Sequence, residues 1–142
     1  MHGRLVLFAA AFALSATTAA AGSSGYNLAR TVPLAGDGFW DYLGFDPANR
    51  HLFITHGTHV MVLNADTQAV EGDIPDTPQV HGVAVADDLG RGFASDGGDN
   101  TVTAFDLKTL QVLGRYPVGT RPDSIAYDPI SHRVFTFNEA RR

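Results

Sequence analysis

The stretch TVTAFDLKTLQVLGRYPVGTRPDSIAYDPISHRVF, residues 101–135, decides the fold. It holds short apolar runs, TVTAF, QVLGRY, SIAY and RVF, separated by segments rich in Asp, Gly, Pro, Ser and Thr. Those residues tolerate or pre-set the dihedrals of turns. Thr101-Val102-Thr103-Ala104-Phe105 alternates with the period of two that places one side of a strand against a core. After residue 25 no stretch sustains a helical period over ten residues, so the reading is all-β.

The same pattern recurs upstream. Pro33, Pro75 and Pro117 stand 42 residues apart, and Leu63-Asn64, Thr67 and Val70 align with Phe105-Asp106, Thr109 and Val112. His81, Val85, Arg91 and Phe93 align with Asp123, Tyr127, Arg133 and Phe135. In the first unit the matching positions are Asp41, Phe45, His51 and Phe53, displaced by two residues that the shorter HGTH turn recovers. The strands expected are 40–46, 51–55, 59–64 and 69–74, then 82–86, 92–95, 101–106 and 111–116, then 124–128 and 133–138. A further strand is expected at 28–34. Four strands per unit of about 42 residues match one propeller blade. The aligned apolar positions Phe45, Phe53, Leu63, Val85, Phe93, Phe105, Tyr127 and Phe135 are the expected core.

The phrase at residues 101–135 resembles the blade repeat of the YVTN/YncE-like seven-bladed β-propeller proteins, themselves WD40-like in architecture. Asp106, Thr109, Val112, Val118-Gly119, Pro122 and Ile125-Ala126 fill that family's pattern. The earlier units depart from it: Ala35-Gly36-Asp37-Gly38 and Asp76-Thr77-Pro78 stand where the family has its Gly-x-x-Pro turn. The resemblance implies an all-β fold of four-stranded antiparallel blades. Residues 28–138 supply about two and a half blades, an incomplete propeller, in repeats of about 28–67, 68–109 and 110–138. The expected account is a piece of a full propeller, with a self-assembling short propeller as the second.

Residues 1–21 read as a secretory signal peptide. Arg4 gives a positive start, residues 5–14 an uncharged apolar run, and Ala19-Ala20-Ala21 small residues before a cut at Gly22. The run is half of the roughly 20 residues that a membrane span needs. Residues 22–27 form a linker and 139–142 a tail. The expected location is periplasmic or extracellular, with no membrane span after cleavage. The chain has no cysteine, which excludes disulfides, thiolate-bound metals and thiol catalysis. Its formal net charge of −5 argues against binding a nucleic-acid backbone.

Register brings Asp41, His81 and Asp123 to one repeat position. By the resemblance this is near the start of each innermost strand, at the mouth of the axial channel. Converging ionisable groups there suit a cation or polar ligand, with Trp40, Arg121 and Ser124 as neighbours on the rim. The His56-Gly57-Thr58-His59 turn lacks a third ligand by spacing and reads as solvent-facing. Asp96-Gly97-Gly98-Asp99-Asn100 has calcium-loop composition without the later Glu and reads as an ordinary turn. Asp87-Asp88 reads as a turn pair. No nucleophile elbow, P-loop or dinucleotide fingerprint is present. No catalytic residue, metal or cofactor is assigned. The expectation is a binding or scaffold module for a small ligand or an envelope protein, able to self-associate through exposed blade faces. The alternatives are a lactonase-like metal-dependent propeller hydrolase, whose set Asp41 and Asp123 could join, and a fragment without independent function.

Overall fold

The computed structural model describes residues 25–139. The expected signal peptide, its cleavage point, the start of the linker and the last three residues of the tail lie outside the described residues. Among the described residues no helix is long and apolar enough to cross a membrane.

Ten strands make three antiparallel sheets. The first blade holds β1 (Trp40–Asp46), β2 (His51–His56), β3 (His59–Asn64) and β4 (Val70–Ile74), hydrogen-bonded in chain order. The second holds β5 (Val80–Ala86), β6 (Arg91–Asp96), β7 (Thr101–Asp106) and β8 (Val112–Pro117) in the same order. The third is the pair β9 (Pro122–Asp128) and β10 (Arg133–Asn138). Among the described residues the one helical element is a 3-10 turn at Asp87–Leu89. First strands lie side by side, β1 along β5 and β5 along β9, which is blade-to-blade packing around an inner edge. The chain is an all-β, incomplete β-propeller.

The repeated Asx–Thr phrase has a local cause. Asn64 Oδ1 accepts hydrogen bonds from the backbone N–H groups of Asp66 and Thr67, at 3.0 and 2.9 Å. Asp106 Oδ1 does the same for Lys108 and Thr109, at 2.9 and 2.7 Å. Each side chain thus closes the turn between the third and fourth strands of its blade.

The core lies between the first two blades. Phe53, Val60, Val62 and Ile74 of one sheet meet Val83, Ala94 and Phe105 of the other, with Val80 and Leu107 beside them. Phe53 and Phe105 contact edge to face at 5.2 Å between ring centroids. Both are fully buried, and each contributes roughly 1.5–3 kcal/mol. Gly92, opposite Phe105 in the β6–β7 pair, leaves the space that the Phe105 ring fills. Arg115 Nη2 ties the blades at their outer edge through the carbonyls of Pro75 and Asp76, at 3.2 and 3.1 Å.

Two expectations are corrected. Residues 28–34 are not a strand and join none of the three sheets. Of the eight expected core positions, Phe53, Leu63 and Phe105 are buried, whereas Phe45 is 44% and Phe135 47% exposed. Pairing explains the split. Val85 and Phe105 share the face of the second blade turned to the first, while Phe93 lies on the face turned to the third. Phe45, the counterpart of Val85, therefore faces away from the second blade. Phe135, the counterpart of Phe93, faces away from it too, beyond the last sheet.

Candidate functional site

A β-bulge opens each first strand at the same place. Register shifts between Trp40 and Leu43 in β1, between Val80 and Val83 in β5, and beside Asp123 in β9, where Ser124 pairs with Phe137 but Pro122 with Asn138. The bulges carry Asp41, His81 and Asp123, and a bulge re-aims the side chain it holds. Small hydroxyls of the second strands occupy the freed backbone groups. Thr55 Oγ1 accepts from Tyr42 N at 2.7 Å, and Ser95 Oγ accepts from Gly82 N at 2.9 Å. The Ser95 hydroxyl also donates to the Asp123 carbonyl at 2.6 Å, joining the second blade to the third.

The three side chains converge. His81 Nδ1 lies 2.6 Å from Asp41 Oδ2 and 3.6 Å from Asp123 Oδ1. One donor atom from each residue falls within 4.8 Å of the other two. They line a cavity of about 280 Å³ with Tyr42, Gly82, Val83, Ser124 and Ile125. The opposite edge of the His81 ring lies on Gly97, where a Cβ would sit 3.0 Å from both Cδ2 and Nε2. Glycine there leaves room for that edge of the ring against the β6–β7 turn, with Nδ1 turned to the carboxylates. Among the described residues, Asp41 and Asp123 form ion pairs with His81 alone. Two carboxylates around one imidazole leave a net negative charge whether the ring is neutral or protonated.

Trp40 and Arg121, expected on the same rim, do not line this cavity. Trp40 stacks on His56 with centroids 3.8 Å apart and planes 7° apart. Arg121 pairs with Glu139 at 2.6 Å, and its backbone N–H donates to Asn100 Oδ1. Both flank the bulges along the chain, so their side chains leave on other sides of the inner edge. Ser124, named as a neighbour, does line the cavity.

The histidine turn faces solvent only in part: Thr58 is exposed and Gly57 and His59 are half-buried, whereas His56 is not. His56 is 3% exposed, held under Trp40, with Nδ1 3.3 Å from His59 Nε2. Asp73 of β4 comes within 3.8 Å of His59, a neighbour supplied by strand pairing that chain spacing does not reveal. The Asp96-Gly97-Gly98-Asp99-Asn100 segment is the turn between β6 and β7, as expected. Asp96 points inward from it and accepts hydrogen bonds from Thr101 and Thr103. Asp87-Asp88 lies in the 3-10 turn, where Asp88 accepts a 2.8 Å bond from Tyr127 of the third blade. That bond and burial push the Tyr127 hydroxyl up to about 12, burial being the larger cause. Gly97, Ser95 and Thr55 are the supporting residues that sequence reading missed. The recurring small hydroxyl two residues after Phe53 and Phe93 was the available signal for two of them.

No protein-family model and no curated protein matches the chain. Solved structures do. Hydrazine synthase of Kuenenia stuttgartiensis superposes with TM-score 0.67 at 22% identity over 80% of this chain and 33% of that one. The β-propeller domain of Myceliophteria thermophila Cps50 (Swd1) gives 0.60 at 11% over 72% and 32%. Apo AztD of Citrobacter koseri gives 0.55 at 12% over 63% and 27%. These likenesses establish the propeller fold. The chain spans about a third of the length of each of these neighbours or less.

Proposed function

We propose that this chain is part of a secreted or periplasmic YncE-like β-propeller that binds a cationic ligand in the cavity of Asp41, His81 and Asp123. The observation that carries the reading is the convergence of two carboxylates on one imidazole, from three blades, in an open-mouthed cavity. Uncompensated negative charge in a partly enclosed cleft attracts and holds a positive group. The signal-peptide pattern supports the location, and the absence of a catalytic motif favours a binding or scaffold role. The exposed Phe45 and Phe135 faces support self-association as well.

Thermal melts of the full chain with spermidine and choline test the cavity. Both are expected to raise the wild-type Tm by a few degrees near saturation. They should leave the Asp41→Asn/His81→Gln/Asp123→Asn variant unmoved. Equal shifts in the two proteins, or no shift in either, would remove the assignment.

A further inference from the structure

The three convergent side chains are also a donor set. We propose that Asp41 Oδ2, His81 Nδ1 and Asp123 Oδ1 bind one divalent transition cation of the zinc, cobalt or nickel type, leaving a coordination position open to the cavity. This rests on the reading of the cavity as a site for positively charged ligands and names the class of ion.

Distance comes first. With metal–nitrogen and metal–oxygen bonds of about 2.0–2.2 Å, adjacent ligands of a tetrahedral ion stand roughly 3.3 Å apart. The His81–Asp123 separation is 3.6 Å and the His81–Asp41 separation 2.6 Å. One donor atom from each of the three residues falls within 4.8 Å of the others, and an ion seated among them takes the place of the His81–Asp41 hydrogen bond. Charge comes second. Two carboxylates and a neutral imidazole neutralise a dication. Donor chemistry comes third. Calcium takes six to eight oxygens and magnesium keeps most of its water, whereas an imidazole nitrogen suits the later divalent metals.

Two features outside the cluster point the same way. Gly97 leaves the space that the Cδ2–Nε2 edge of the His81 ring occupies, which a Cβ would crowd at 3.0 Å, while Nδ1 is on the side of the carboxylates. Ser95 pins Gly82 N and the Asp123 carbonyl, locking together the backbones that carry two of the three donors. Three protein ligands with an open fourth position is the arrangement of sites that present a metal to a ligand.

The test is cobalt(II) titration of the tag-free full chain, followed by visible absorption, with zinc in competition. Expected are ligand-field bands saturating at one equivalent, displaced by zinc. Affinity should weaken at least tenfold in His81→Gln, Asp41→Asn and Asp123→Asn. His59→Gln controls for the other histidine pair and should bind as wild type. Where a variant does not fold, the paramagnetic shifts and broadening that cobalt(II) causes in wild-type NMR signals serve instead, and should centre on residues 41, 81 and 123. Absence of uptake, uptake retained in His81→Gln, or uptake lost in His59→Gln would overturn the proposal. Stabilisation by spermidine or choline without cobalt uptake would reject the metal and keep the cationic cavity. Loss of both responses would reject both.

Discussion

Asp96 shows what a single side chain does in this fold. It is fully buried, with Oδ2 accepting from Thr101 and Thr103 at 3.0 and 2.6 Å and Oδ1 without a hydrogen-bond partner among the described residues. Burial pushes its carboxyl up to about 6, against the pull of the two hydroxyls. A carboxyl raised in the folded state favours folding while protonated. Its contribution is complete below its ordinary value near 4 and is lost as the pH rises through about 6. Urea unfolding at pH 4.5 and 7.5 is expected to show this loss, about 1–3 kcal/mol, in wild type relative to Asp96→Asn. An equal pH dependence in the two proteins would contradict it. Asp106 is the opposite case: the N–H and hydroxyl of Thr109 hold its carboxylate below the usual range. The role of Asp106 was legible from its recurrence with Thr109 in the repeat. That of Asp96 was not, because a Gly-rich turn reads as solvent until β7 brings Thr103 beneath it.

At the scale of the element, the bulges matter most. Sequence periodicity located the first strands within two residues and set Asp41, His81 and Asp123 in register. It could not show that each strand breaks its ladder there, since a bulge is defined by the partner strand and not by the strand itself. Trp40 and Arg121 leave the cavity for the same reason: proximity along a bulged strand does not fix the side a residue faces. Ser95→Ala removes the hydroxyl that joins Gly82 to Asp123, leaving a buried N–H unpaired. The expected cost is about 1–3 kcal/mol in denaturant melts. Cation binding should weaken along with it, because Asp123 is no longer held against the second blade. A variant as stable as wild type would show that another group takes over the bulge.

At the scale of the whole molecule, equal repeat positions have unequal fates. Phe53 lies between two blades, and Phe53→Asp buries a charge in a core without a partner. That variant is expected to lose its cooperative melt by circular dichroism. Its counterpart Phe135 faces no blade, and neither does Phe45, and each ring is about half covered, so Phe45→Ser/Phe135→Ser should keep a cooperative melt at a cost of about 1.5–3 kcal/mol for the pair. The same double variant should scatter less light than wild type at high concentration, if the exposed faces carry self-association. A cooperative Phe53→Asp melt would displace the core from the interface between the first two blades.

The sequence by itself determined the period, the strands, the turn chemistry and the common register of Asp41, His81 and Asp123. These are local properties: alternation, Asx turns and spacing act between residues near in the chain, and a repeat multiplies them. Only the tertiary structure decided which faces are buried, where the bulges aim their side chains, and that His56 lies beneath Trp40 beside His59. Those outcomes depend on strands and blades meeting across separations from 13 residues, as between Tyr42 and Thr55, to 40, as between Asp41 and His81, which lie beyond the reach of a single turn or an alternating run.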